Sequence, residues 1–251
     1  MDAASAFSEM YQATHNSIAY AEAVRASSSD LPEWLVPYSF VGIALLERFA
    51  IELRAGATDT VLDIGCGAGG PALWIAERTG ASIVGIDFAS AAVDAASALS
   101  ERRDLLTCSR FMVAEATATG MADAAVDAVM SIDAMMFVDA GLAAREIARV
   151  LKSGGRLVMT SPESLVEPFF PTLVRDYRPF FEAAGFATVG HEELTGYADR
   201  QLSFYQALDD RSDRLLAEMG GPAERLLEEA RNGIAPHATR LRHVLYVAER
   251  L

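Results

Sequence analysis

The chain has a single lysine, Lys152, two cysteines and two tryptophans in 251 residues. Cys66 and Cys108 are too few and too scattered for a disulfide framework or a metal site, so a reducing compartment, the cytoplasm, is expected. Positive charge is scarce. The balance of 21 basic against 35 acidic residues gives a formal net charge of −14, which argues against nucleic acid or an anionic membrane as the principal partner. The shortage of lysine beside abundant alanine reads as coding bias and carries no functional weight. No apolar run reaches the roughly 20 residues that span a bilayer, and the N-terminus lacks the basic start and continuous apolar core of a signal peptide. Internal repeats and low-complexity tracts are also missing. What is present is apolar: 51% of residues, ample for one α/β core with additions, and a small molecule is the favoured partner.

The most informative stretch is Val61-Leu62-Asp63-Ile64-Gly65-Cys66-Gly67-Ala68-Gly69-Gly70, an apolar strand followed by an acid and then glycines. Such glycines let the backbone turn tightly and approach a ligand, and Pro71 opens a helix above it. Gly65, Gly67 and Gly70 also satisfy the dinucleotide fingerprint G-x-G-x-x-G, which alone is a weak signal. Asp63 separates the two readings. A carboxylate two residues before the first glycine repels a pyrophosphate seated on that turn but attracts a ligand carrying cations. S-adenosylmethionine has a sulfonium and an ammonium and no phosphate, so the acid favours it. A bare strand-to-helix turn accounts for the glycines and leaves Asp63 unexplained.

Two helices are predicted at 6–27 and 33–54, separated by Ser27-Ser28-Ser29-Asp30 and Leu31-Pro32. Strands follow at 60–64, 82–86, near 110–114 and at 126–132, with helices at 70–79, 90–102 and 140–151 between or after them. Lys152-Ser153-Gly154-Gly155 reads as the stop of that last helix, feeding a fifth strand at 156–160. A helix near 171–184 and strands near 186–193 and at 243–249 complete the pattern. About fifty polar and helical residues separate the last two strands, too many for a hairpin loop, and are expected to form an inserted helical cover. The expected fold is α/β: a Rossmann-like, seven-stranded, mostly parallel sheet with helices on both faces, an N-terminal helical cap at 1–56 and a main domain at 57–251 whose insertion spans about 195–241.

Four ordered segments carry a family resemblance: Val61 to Gly70; Gly85-Ile86-Asp87-Phe88; Val113-Ala114-Glu115-Ala116-Thr117 leading to Val126–Asp133; and Glu146 to Gly155. Together they resemble the class I S-adenosylmethionine-dependent methyltransferases, and among these the bacterial enzymes of small-molecule, natural-product metabolism. The resemblance implies S-adenosylmethionine lying across the carboxyl ends of the first strands and a seventh strand antiparallel to the rest. Asp87, about 20 residues beyond the first glycine, stands where an acid accepts from ribose hydroxyls, though a helix cap is the alternative. Phe88 would lie by the adenine. Glu115 stands where the family usually has Asp, accepting from the adenine amino group, with the Ala116 amide offered to the ring. Gly65, Cys66 and Gly67 form the turn, Ser131 would present its carbonyl to the methionyl ammonium, and Tyr11 and Ser39 would reach the methionyl carboxylate.

Methyl transfer is a displacement on an already activated carbon, so the main demands are near-attack geometry and exclusion of water, and a general base is optional. Many small-molecule relatives carry a histidine just after the fourth strand, where this chain reads Asp133-Ala134-Met135-Met136-Phe137. His15 and Asp133 are the candidate bases; His191, His237 and His243 rank below them. The acceptor site is expected between the N-terminal helices, the loop after the fifth strand with Pro162, Pro168, Phe169, Phe170 and Pro171, and the insertion. Its aromatic richness favours a small hydrophobic or aromatic metabolite. No metal is implied, and dimerisation stays open. The expected function is transfer of a methyl group to O, N or C of that metabolite; alternatives are a cyclase or other non-methylating enzyme using the same cofactor, or a non-catalytic interaction module.

Overall fold

A computed structural model describes residues 3–168, 170–233 and 240–251. The chain begins with three helices, α1 Ala3–His15, α2 Ile18–Ser27 and α3 Ile43–Leu53. The helix expected at 6–27 is thus split, because the Ser17 hydroxyl accepts from the Tyr20 amide at 3.0 Å and starts a new helix there. The helix expected from 33 begins only at Ile43. Pro32 and Pro37 withhold amide donors from the segment before it, and the Asp30 carboxylate accepts from the Ile43 amide at 2.8 Å.

Alternation then follows the predicted order: β1 Thr60–Ile64, α4 Gly70–Thr79, β2 Ser82–Asp87, α5 Ser90–Arg102, β3 Ser109–Val113, β4 Val126–Ile132, α6 Ala140–Val150 and β5 Leu151–Ser164. Lys152 to Gly155 do not end α6, which stops at Val150. They form an irregular start to β5, with Gly154 at φ +77° and a register shift against β4. The helix expected near 171–184 shrinks to α7 Arg178–Ala183, with Pro179 in its first turn. The chain closes with β6 Phe186–Glu193, the helices α8 Tyr197–Asp209, α9 Ser212–Met219 and α10 Gly221–Glu228, a π turn at Glu229–Gly233, and β7 Leu241–Arg250.

The seven strands lie in the order β3-β2-β1-β4-β5-β7-β6. β1 to β5 pair in parallel and β7 runs antiparallel to both its neighbours, as the resemblance implies. Leu62 and Ile64 of β1 pack with α6 and α7 on one face, while Val61 packs with α3 and α4 on the other, so from Val61 to Ile64 the strand is apolar except at Asp63. A third core lies away from the sheet. Met10, Tyr20 and Val24 of α1 and α2 interlock there with Phe204, Leu208, Leu215 and Leu226 of α8, α9 and α10. Ser17 also donates to Glu218 at 2.7 Å, tying the two ends of the chain together. α1 and α2 therefore share one roof with the insertion, whereas α3 packs against the sheet.

Candidate active site

Strand order reverses between β1 and β4, and an open α/β sheet leaves a crevice at the carboxyl ends of such strands. Here a cavity of about 610 Å³ occupies it, floored by the strand ends and roofed by α1, α2, α8 and the π turn. The glycine turn is pinned to β2: the amides of Gly65 and Cys66 both donate to the Ile86 carbonyl at 2.9 Å. The Asp87 carboxylate accepts from the Gly67 amide at 3.0 Å and the Ala89 amide at 2.9 Å, holding the turn and the start of α5 at once. A Cβ on Gly67 would lie 2.7 Å from the Tyr11 hydroxyl, so α1 reaches directly over the turn.

Beneath the turn Asp63 is 3% exposed. No hydrogen bond reaches its carboxylate among the described residues, and desolvation, reinforced by neighbouring Asp87, pushes its pKa up to about 8. Between the ordinary 3.8 and about 8 the folded chain keeps a proton there that the unfolded chain has lost, so this group's contribution to stability falls as pH rises through that window. Asp63→Asn should therefore exceed the wild type in denaturant melts above about pH 8, by about 0.5–2 kcal/mol. Near pH 4 the difference should vanish.

Of the residues singled out in the sequence, Tyr11, Ser39, Gly65 and Asp87 line the cavity, as do Phe88, Glu115, Ala116 and Asp133. Phe7 of α1 packs edge-on against both Phe88, at 5.2 Å between centroids, and Phe137, at 5.5 Å, closing that end with aromatic rings. Asp63, Cys66, Gly67 and Ser131 lie behind the wall. Burial, then Asp63 and Asp87, push the Cys66 thiol up, so it stays protonated and is no nucleophile. The Ser131 side chain donates to the Ile64 carbonyl at 2.9 Å, joining β4 to β1. His15 is not brought to this place; it is exposed at the end of α1, beside a separate smaller cavity that also includes Trp34. Phe169 and His237 lie outside the described residues.

Asp133 sits at φ +57° at the end of β4, where its oxygens accept from the Thr160 hydroxyl at 2.9 Å and from the Tyr197 hydroxyl. Both oxygens are engaged. The ring of His243, from β7, lies on Tyr197 with 4.3 Å between centroids and faces the cavity. Burial lowers its pKa against the opposing pull of Asp133, so the imidazole is neutral near pH 7 and able to accept a proton. The sequence ranked His243 low because nothing along the chain links the last strand to the end of the fourth. Glu229 was missed altogether: it reads as the polar face of a short helix, and only the assembled roof turns it toward the cavity.

Among the described residues Glu163, Asp176 and His191 have metal-ligand types close together. Their donor set is already committed: Glu163 accepts from Arg242, His191 and the Tyr177 amide, and Asp176 pairs with Arg178. This cluster braces the sheet edge.

The main cavity suits a ligand bearing cations. No lysine or arginine lines it among the described residues, Asp63 lacks a partner, and the Ser39 hydroxyl is buried without one. A pyrophosphate would meet Asp87 and Glu115 at the wall, with no compensating positive charge among the described residues.

A methyltransferase-domain family model matches residues 62–159, from β1 to β5. The methyltransferase GfsG of Streptomyces halstedii is 33% identical over 129 residues, covering 51% of this chain and 46% of that protein. The 27-O-demethylrifamycin SV methyltransferase of Amycolatopsis mediterranei is 33% identical over 116 residues, covering 46% and 43%. This chain thus spans under half the length of either relative at the matched region. Among solved structures, the [4+2]-cyclase SpnF shares the fold with a TM-score of 0.74 at 22% identity, covering 82% of this chain and 80% of that one. A geranyl diphosphate C-methyltransferase from Streptomyces coelicolor, solved with S-adenosyl-L-homocysteine, shares it at a TM-score of 0.64 and 21% identity, covering 83% and 79%. Residues 62–159 thus match a methyltransferase domain, and the strand order and acid-before-glycine turn are those expected from the resemblance to the class I S-adenosylmethionine-dependent methyltransferases.

Proposed function

We propose that the protein transfers a methyl group from S-adenosylmethionine to a proton-bearing O, N or C of a small, fairly hydrophobic metabolite. One observation carries this reading: a single cavity runs from the glycine turn and Asp87 to an aromatic roof, so donor and acceptor sites are continuous. The relatives named above, which by name include a rifamycin methyltransferase, support a metabolite as acceptor. When bound, the cofactor supplies a methyl carbon made electrophilic by its sulfonium. The chain does the rest by placement. Asp87, Glu115 and the Ala116 amide hold the nucleoside end, while Asp63, Ser39 and Tyr11 hold the methionyl end. Phe7, Phe88 and Phe137 keep water from the reacting atoms. His243 takes the proton that the acceptor loses as its new bond to carbon forms.

Asp87→Ala should weaken S-adenosylhomocysteine binding by about 1–3 kcal/mol, the scale of hydrogen bonds to a charged group. Titration calorimetry reads it, and unchanged affinity would remove the ribose assignment. The activity itself is tested by incubating the protein with methyl-labelled S-adenosylmethionine and a panel of hydroxyl-bearing and amine-bearing hydrophobic metabolites. Label should enter an acceptor in step with release of S-adenosylhomocysteine. Consumption of an acceptor with no change in mass and no release would instead favour cyclisation on the same fold.

A further inference from the structure

Four carboxylates line the main cavity among the described residues: Asp87, Glu115, Asp133 and Glu229. The first two stand at the strand ends beside the glycine turn, and Asp133 is held by Thr160 and Tyr197. Glu229 differs. It lies in the roof, at the π turn after α10, with no hydrogen bond or ion pair among the described residues. Desolvation pushes its carboxyl pKa up, and the phenols of Tyr20, Tyr38 and Tyr205 are pushed up first by their own burial and then by the charge of Glu229. Tyr20, Tyr38, Phe204 and Tyr205 line the same cavity as Glu229. Tyr20 and Tyr38 are nearly parallel, 17° apart with centroids 6.4 Å from each other, and Phe204 meets Tyr20 edge-on at 5.9 Å. The Tyr20 and Tyr38 hydroxyls, like Glu229, make no hydrogen bond among the described residues. Glu229 is exposed to the cavity, and no lysine or arginine on the described wall pairs with it. Its position does not serve the roof's packing, which the apolar contacts of α8, α9 and α10 already provide.

We propose that Glu229 with the rings of Tyr20, Tyr38 and Phe204 forms a subsite for a protonated amine carried by an otherwise apolar acceptor. The ammonium pairs with the carboxylate and is attracted by the aromatic ring faces that line the same cavity. The subsite belongs to the roof, so the amine it binds anchors the acceptor and is separate from the atom presented to His243. Acceptors bearing a carboxylate are repelled, since no lysine or arginine on the described wall offsets Glu229. The assignment rests on reading the cavity as a methyl-acceptor site, yet its own test needs no cofactor.

Three probes of one shape separate the chemistry: 4-phenylbutylamine, 4-phenylbutan-1-ol and 4-phenylbutyrate, each titrated calorimetrically into the wild-type protein and into Glu229→Gln. The amine should bind wild type at least about tenfold more tightly than the alcohol, with the butyrate weakest. In Glu229→Gln the advantage of the amine should disappear, while S-adenosylhomocysteine affinity and the melting temperature stay at wild-type values. Equal binding of amine and alcohol, stronger binding of the butyrate, or no binding of the amine would each overturn the subsite, as would an amine preference that survives Glu229→Gln. If the variant fails to fold, the comparison of the three probes on the wild type still decides. Failure of S-adenosylhomocysteine to bind wild type would count against the methyltransferase reading alone.

Discussion

Replacing His243 by glutamine is expected to lower kcat by about 10²–10⁴-fold, the usual contribution of a positioned general base. Cofactor affinity should not change, because His243 comes from β7 and touches none of the glycine turn, Asp87 or Asp63. The imidazole faces the cavity from its stack on Tyr197, which is itself fixed by its hydrogen bond to Asp133. Glutamine keeps polarity and approximate size but cannot take up the proton. The pH profile gives a second readout. Burial holds the imidazole pKa below its ordinary 6.5, so wild-type kcat should be flat through neutrality and fall on the acid side as the ring is protonated. That acid limb should be missing in His243→Gln. Unchanged kcat with an unchanged profile would show that placement alone carries the reaction.

Gly65→Ala should be the most damaging single substitution at the glycine turn. Gly65 has φ +73°, which costs an L-residue about 1–2 kcal/mol. An added Cβ would also lie 2.2 Å from the Cβ of Ala134, at the end of β4, and neither strand end can yield without moving backbone. Overpacking of that kind adds about 1–3 kcal/mol, so a loss of roughly 2–5 kcal/mol in stability is expected. Cofactor affinity should fall too, since separating the turn from β4 displaces the amides that lean on Ile86 and Asp87. Gly154→Ala is the control. Its φ is +77°, yet nothing lies within 4 Å of the added carbon, so it should cost only the conformational part and leave cofactor binding intact. Equal melts for the two variants would contradict the steric account.

The parts legible in the sequence were those whose physics is local. Asp63 and the glycines are neighbours in the chain, and β1, β2, β4 and β5 each announce themselves as apolar runs because helices cover both faces of the sheet. Helix boundaries failed where one side chain overrode periodicity, as Ser17 does between α1 and α2, or where prolines stopped a pattern that otherwise looked helical, as between Pro32 and Ile43. The acceptor end was illegible for a different reason. Its roof joins residues about two hundred positions apart, such as Ser17 and Glu218, so no local pattern could place Glu229 on one cavity wall with Tyr20 and Tyr38. His243 was hidden in the same way, since it meets Tyr197 and the end of β4 only once β7 inserts next to β5. His15 was a candidate base on the first helix, but Phe7 and Tyr11 are the parts of that helix that line the cavity.

On the proposed reading, Asp63 beneath the glycine turn makes a loop shared by two cofactor classes a site for S-adenosylmethionine. Calorimetric titration of the wild-type chain with S-adenosylhomocysteine and, separately, with a nicotinamide dinucleotide tests it most directly. Saturable binding of one S-adenosylhomocysteine per chain, lost or strongly weakened in Asp87→Ala, with no heat from the dinucleotide, is the predicted result. Tight binding of the dinucleotide with none of S-adenosylhomocysteine would contradict it.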